Sequence, residues 1–468
     1  MKLLRLLVLI GLAGSLHAQT ILVQPYVQPG DGAALGGADT KVIAWMTDPT
    51  PGKFTVEFGA TKSFGRKAKA DRVHLNLSTN QQYFKYAATL ANLPFNREIF
   101  YRVRLRRQTV RQGSFLTRKT PDQSISFIVT GDTASGEPEQ RKVAYQMARA
   151  KPEFLLICGD IVYSKGLVSE YLSRFWPVYD NVAQPDPTNG APIMQSVPIY
   201  PVLGNHDVGA TNLTAHPDGF GVFYFFHPPL NGPKSSPWFT PLGGTTEQVR
   251  AFKAAAGASY PAICTYSFDN GPAHFLVLDS NRYVLVADPE YQRWIRDDLE
   301  KSNARWKIVC FHHPGFNSSA RHNSEQKMRL LAPLFEECGV DVVFAGHVHN
   351  YQRSKPLRFT PDDPTRMNPK GLITGQYTLD QKFDGVTFTK PDGILYLVTG
   401  GGGAKLYDSE FTGKPETWKN DLGLAVPFTE KFIADRHSFT QVTLSAHQLL
   451  LRQVDEDGAE VDRITVTK

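Results

Sequence analysis

Hydrophobic positions along this 468-residue chain follow two different rhythms. From residue 20 to 118, apolar runs or alternations of strand length occur at 42–46, 54–58, 84–90 and 99–105. Turn-forming residues separate them at 49–52 and 93–96, and no helical period of useful length intervenes. About seven short strands over about 100 residues predict a β-sandwich of immunoglobulin or fibronectin III type across residues 20–118. The polar, proline-containing stretch 118–123 (RKTPDQ) reads as a linker.

The rhythm then changes. A buried-type strand at 126–130, a helical period over 139–150 and a second strand at 154–158 make a βαβ unit. Further buried-type strands are expected at 199–203, 274–278, 307–311, 340–344 and 394–398. Helices near 290–302 and 325–337 alternate with them. The expectation for 124–468 is an α/β sandwich with working loops at the carboxyl ends of its strands. The tail, 438–451 and 464–466, returns to strand patterning and should complete a sheet. Two long irregular stretches, 177–198 and 212–239, interrupt the plan. The aromatic cluster at 220–226 reads either as the lining of a cleft or as a small core under a loop.

Composition narrows the class. With 41% hydrophobic and 21% charged residues the chain is ordinary globular protein. Its formal charge of +6 is thinly spread and gives no argument for nucleic-acid binding. The first residues have a short basic region, the apolar run 6–12 and then small residues, which is the pattern of a secretory signal peptide (1–18) cleaved after Ala18. No later apolar run approaches the roughly 18 residues of a membrane helix, so no membrane partner is expected. Cys158, Cys264, Cys310 and Cys338 show no disulfide framework, and Cys158 and Cys310 read as buried free thiols. Whether Cys264 and Cys338 pair is open.

The chemistry lies in five short segments, most of which close a strand pattern: Gly131-Asp132, 159–163 (GDIVY), 204–207 (GNHD), 309–313 (VCFHH) and 346–349 (GHVH). Asp132 alone reads equally well as a helix cap. A second strand-Gly-Asp unit at Asp160 favours metal binding for both, because adjacent parallel strands would set the two carboxylates side by side. Asn205 and His206 follow a strand and a glycine in the same way. His347 and His349, one residue apart, would point the same way from an extended segment. His312 supplies another imidazole, and His313 should point elsewhere. Together these donors describe a two-metal hydrolase site, in which a bridging carboxylate holds ions about 3.5–4 Å apart.

On these five motifs in this order the chain resembles the metallophosphoesterase superfamily. The GDxxY form of 159–163 narrows the resemblance to the purple acid phosphatases, whose larger members carry an N-terminal fibronectin-like domain. The resemblance implies one metal, Fe(III), held by Asp132, Asp160, Tyr163 and His349. It implies a second, Fe, Zn or Mn, held by Asp160, Asn205, His312 and His347. His206 and His322 match histidines that bind the substrate phosphate and assist the leaving group. The implied reaction is hydrolysis of a small phosphate monoester, at an acid optimum, by attack of a metal-bound hydroxide. Two departures stand out. The first motif reads GDTA rather than GDxG, and Gln352 replaces a glutamate that could orient the histidines. The four glycines 400–403 match a glycine-rich family segment, and they lack the Walker pattern of a nucleotide loop. Two other readings remain: a phosphodiesterase or nucleotide-directed hydrolase on the same site, and a surface-binding protein acting through its N-terminal sandwich.

Overall fold

The computed structural model describes residues 19–234, 240–322, 324–368, 372–407 and 426–468. The signal-peptide segment and residues 235–239 of the second irregular stretch lie outside the described residues.

Eight strands make up the N-terminal part: β1 (Ile21–Gln28), β2 (Asp39–Thr47), β3 (Phe54–Gly59), β4 (Arg66–Ala68), β5 (Asp71–Ser78), β6 (Gln81–Leu93), β7 (Glu98–Leu105) and β8 (Gln108–Leu116). They form two antiparallel four-stranded sheets, ordered β1-β2-β6-β5 and β4-β3-β7-β8. This is an immunoglobulin-type arrangement with one added edge strand. Ile43 and Trp45 face the sandwich interior with Tyr86, Tyr101 and Phe115. Val42, Ala44 and Met46, between and beside them, face the opposite way and join the core of the rest of the molecule. The run at 42–46 is continuously apolar because both faces of its sheet are covered.

The segment expected to be a linker is instead pinned. Arg118 is only 3% exposed. Its Nε donates to Asp39 at 2.8 Å and its Nη1 to the carbonyls of Ala33 and Asp269. Lys41 completes a buried triad, 2.6 Å from Asp39. Burial opposes the charge on Asp39, yet Lys41 and Arg118 bring its carboxyl down to about 2. A charge this deeply buried is tolerated only when fully paired, so the sequence signal of a polar, proline-containing stretch did not distinguish a free linker from a paired one.

The remaining strands are β9 (Ile125–Thr130), β10 (Phe154–Ile157), β11 (Ile199–Pro201), β12 (Tyr266–Asn270), β13 (Ala273–Val277), β14 (Trp306–Cys310), β15 (Val342–Ala345), β16 (Tyr351–Ser354), β17 (Leu357–Pro361), β18 (Gly375–Leu379), β19 (Leu395–Thr399), β20 (Thr429–Ile433), β21 (Ser438–Leu444), β22 (Gln448–Asp455) and β23 (Glu460–Thr467). One sheet runs β11-β10-β9-β21-β22-β23, and the tail does complete it. The other runs β12-β13-β14-β15-β19-β16-β20. Between the two sheets lies an aromatic-rich core with Phe127, Phe154, Tyr200, Phe268, Phe275 and Trp306. Helices Glu139–Arg149, Pro289–Lys301 and Ala332–Glu337 cover the outer faces.

Sequence reading missed β12, β16, β17, β18 and β20, which are only four or five residues long. The helix expected over 325–337 is a 3₁₀ turn, Lys327–Leu331, followed by a short α-helix, Ala332–Glu337, with Pro333 in its first turn. Glu325 therefore lies outside the helix. Phe220, Phe223, Phe225 and Phe226 are all essentially buried, so the aromatic cluster is core rather than cleft. All four cysteines are buried and unpaired.

Candidate metal centre

The parallel strands β9 and β10 run in register, with Thr130 opposite Ile157. Beyond their carboxyl ends the pairing continues, since the Asp132 N–H donates to the Gly159 carbonyl at 3.0 Å and that of Thr133 to Asp160 at 3.0 Å. Asp132 and Asp160 therefore sit side by side. Both have positive φ, +59° and +49°, as do His347 at +69° and His322 at +62°. For residues with a Cβ this is an uncommon, strained conformation that concentrates at functional sites.

Crowded backbone holds these turns in place. A Cβ on Gly204 would collide with Asp160, and one on Gly346 would collide with the Cys158 carbonyl and crowd Asp132. Gly402 and Ala404 donate backbone N–H groups to the carbonyls of Gly131 and Asp132 at 3.0 and 2.8 Å. The glycine-rich segment 400–403 thus backs the Asp132 turn with main chain alone. Asp207 accepts N–H bonds from Ile161 and Gly204, at 3.0 and 2.9 Å, and ties the Asp160 and Asn205 loops together.

The candidate ligands converge. Asp132 accepts the Tyr163 hydroxyl at 2.9 Å and lies 3.4 Å from His349 Nε2. Tyr163 and His349 are themselves 2.9 Å apart. On the other side, His312 Nε2 lies 3.3 Å from Asp160, 3.2 Å from the Asn205 side-chain oxygen and 3.2 Å from His347 Nδ1. His206 Nε2 is 3.9 Å from Asp160, and its Nδ1 is 2.7 Å from the Ser164 carbonyl. His322 sits 3.1 Å from His347 Nε2. All nine sequence-nominated residues, Asp132, Asp160, Tyr163, Asn205, His206, His312, His322, His347 and His349, lie in this one cluster.

Two local expectations need correction. His347 and His349 do not share one pocket, and their segment is not extended: His347 meets His312 while His349 meets Asp132 and Tyr163, His347 is left-handed, and the Val348 and Asn350 N–H groups each bond two residues back. His313 does not turn away. Its ring is 4.4 Å from that of His347, with Nδ1 taken by the Ser280 hydroxyl at 2.9 Å. Gln352, the departure noted in the sequence, bonds no histidine among the described residues. It ties Asn317, Ser318 and Asn350 together, while His312 and His349 are oriented by the carbonyls of Cys158 and Lys405, at 2.8 and 2.6 Å.

Sequence reading also passed over Glu325, Ser280 and Tyr407. Glu325 meets His322 at 2.9 Å and His347 at 3.1 Å. The Ser280 hydroxyl accepts the His312 and His313 N–H groups. Tyr407 stacks on His349 at 4.5 Å. None belongs to a short motif, so only spatial proximity reveals them.

The charge balance fits metal ions. Asp132 and Asp160 are at most 1% exposed, and among the described residues neither is paired with Lys or Arg. Two buried carboxylates without such a partner create a strong demand for cations. Burial works against the imidazolium of His312, yet Asp160 outweighs it and pushes His312 up to about 10. Burial, then Asp132 and Asp160, hold the Tyr163 phenol well above its ordinary value. That phenol would ionise only against a cation. The donors can also form groups of three within 4.8 Å, as Asp132, Asp160 and His312 do.

Residues 125–351 match the calcineurin-like phosphoesterase family, and the chain carries a calcineurin-like phosphoesterase domain. Proteins similar to it include purple acid phosphatases. It is 27% identical over 331 residues to one from Glycine max, covering 67% of this chain and 62% of that protein. It is 25% identical over 330 residues to the Fe(3+)-Zn(2+) purple acid phosphatase 12 of Arabidopsis thaliana, covering 67% of this chain and 62% of that protein. The chain thus spans less than two thirds of the length of these relatives. Its fold resembles a purple acid phosphatase from yellow lupin (Lupinus luteus) seeds, with a TM-score of 0.65 and 18% identity, covering 95% of this chain and 74% of that one.

Proposed function

We propose that this chain is an exported phosphatase with two metal ions that hydrolyses small phosphate monoesters at an acid optimum. The observation that carries the reading is the position of Asp160. Tyr163, Asp132 and His349 form one mutually contacting set, His312 contacts both Asn205 and His347 to form another, and the Asp160 carboxylate reaches the second set from the strand end beside Asp132. One ion would be held by Asp132, Asp160, Tyr163 and His349, and the other by Asp160, Asn205, His312 and His347. Carboxylates and a phenolate suit Fe(III), while imidazoles suit Fe, Zn or Mn as its partner. When bound, the two ions supply an activated water and neutralise charge on the phosphoryl oxygens.

The remaining work falls to side chains at the mouth. His206 is anchored through Nδ1 to the Ser164 carbonyl, which leaves Nε2 directed toward Asp160. Protonated there, it would donate to a phosphoryl oxygen or to the leaving oxygen. His322 is held by Glu325 and would do the same from the other set. Both roles call for a ring N–H donor at the mouth of the site. Residues 20–118 would act as a fixed support for the phosphoesterase domain of 124–468. Export rests on the signal-like residues 1–18, and no helix among the described residues is long and apolar enough to cross a membrane.

The test compares p-nitrophenyl phosphate with bis-p-nitrophenyl phosphate from acid to alkaline pH, using protein loaded with iron and zinc. Faster monoester hydrolysis in acid is expected, with Asp160→Asn losing both hydrolysis and stoichiometric metal. Preference for the diester would make the site a phosphodiesterase. Full activity in Asp160→Asn would remove the metal reading.

A further inference from the structure

Arg321 lies beside the cluster in an unusual setting. Its guanidinium sits 4.9 Å over the ring of Tyr407. Tyr407 in turn stacks on His349 at 4.5 Å, nearly coplanar at 15°, and its hydroxyl is 3.2 Å from His322 Nε2. The Tyr407 hydroxyl also donates to the His347 carbonyl at 3.3 Å. A column of three planar groups thus runs from the candidate ligand His349 out to an exposed guanidinium.

The loop beneath it is braced. The Asn317 side chain donates to the Arg321 carbonyl at 3.1 Å, and the Arg321 N–H donates to the Ser319 hydroxyl at 3.2 Å. The nearby Glu325 is committed to His322 and His347 rather than to Arg321. Arg174, also beside the cluster, is bound to the Tyr163 carbonyl and is 4.0 Å from Glu170. Among the described residues, Arg321 has no carboxylate or carbonyl acceptor for its side chain. A guanidinium presents five N–H donors in a rigid fork matched to carboxylate and phosphate oxygens. Stacking on an aromatic ring fixes that fork in advance, so less entropy is lost when an anion arrives.

We propose that Arg321, laid over Tyr407, selects phosphate monoesters that carry a second anionic group, a carboxylate or another phosphoryl, beyond the phosphate being cleaved. The inference rests on the phosphatase reading above and adds to it a substrate class and a specificity-determining residue. The scissile phosphate occupies the cluster near His206 and His322. The second anion reaches outward along the column and accepts two N–H bonds from Arg321. A monoester lacking that group binds without this contact.

The experiment measures kcat/KM for phenyl phosphate and for 3-carboxyphenyl phosphate with the intact, metal-loaded protein. These substrates share a leaving-group type and differ in the second anion. Wild type is expected to prefer the carboxylated ester by about tenfold, as suits one charge-assisted contact. The preference should shrink as salt is raised, because the guanidinium is exposed. Arg321→Ala should lower kcat/KM for the carboxylated ester about tenfold more than for phenyl phosphate. Arg321→Lys, which keeps the charge and loses the fork, should fall between. An unchanged substrate ratio in Arg321→Ala, or an equal loss on both esters, would overturn the inference and leave the phosphatase reading standing. If wild type hydrolyses neither ester, the phosphatase reading falls and takes the inference with it.

Discussion

At the scale of single residues, the cluster separates groups that would hold metal from groups that would act on substrate. Asp132, Asp160 and His312 are fully buried, whereas the side chains of His206 and His322 are about one-third exposed, at 35% and 30%. A ligand must be shielded and oriented, while a proton donor must reach the substrate. His206→Ala is therefore expected to retain its metal and to lose about 10²- to 10⁴-fold in kcat. Metal analysis beside steady-state kinetics checks this, and loss of metal from the variant would reassign His206 as a ligand. The ligand candidates were legible because each lies in a short motif at a strand end, all but His312 beside or just after a glycine. Glu325, Ser280 and Tyr407 were not, since their contacts with the cluster depend on loop paths that local patterning does not encode.

At the scale of elements, most strands could be read because buried parallel strands appear as continuous apolar runs. The short antiparallel strands β16, β17, β18 and β20 were missed because runs of four or five residues give little period to detect. An element-level pairing also makes a pH prediction. His274 on β13 pairs across to Asp269 on β12 at 2.7 Å, and its other nitrogen meets Asp298 of the helix Pro289–Lys301 at 2.9 Å. Burial disfavours the imidazolium, but the two carboxylates prevail and raise it to about 9. A raised histidine pKa stabilises the fold fully below the unfolded value of about 6.5, and that stability is lost as pH rises through about 9. Denaturant unfolding at pH 6 and pH 10 should differ by on the order of 2–3 kcal/mol from this group. His274→Gln should remove that part of the difference. An unchanged pH slope in the variant would show that the carboxylates do not hold the charge.

At the scale of the whole molecule, the N-terminal sandwich and the phosphoesterase part share a core. The outer face of β1-β2-β6-β5 packs on Trp176 and Phe225, with the Tyr26 ring tilted at 40° and 4.5 Å from that of Trp176, and its hydroxyl donating to the Phe225 carbonyl at 2.7 Å. Arg111 crosses the same boundary to Asp180 at 2.6 Å. One cooperative unfolding transition is expected rather than two. Arg118→Ala should lower stability by about 3 kcal/mol, because it leaves Asp39 buried with only Lys41. Calorimetry that resolved two separate transitions in the wild type would show the parts to be independent.

The sequence by itself determined the division into an all-β part and an α/β part, the order of the strands carrying the motifs, and the identities of the nine clustered residues. Periodicity and donors at strand ends, most of them beside a glycine, are local properties of the chain and give eight of the nine, while His322 was matched only through the family resemblance. Tertiary structure alone decided that Arg118 is clamped rather than free, that the aromatic run 220–226 is core, and that His313 turns inward. It also decided that Arg321 rides on a column of rings leading to His349. Each of these depends on what another part of the chain brings into contact, and no local pattern records the partner.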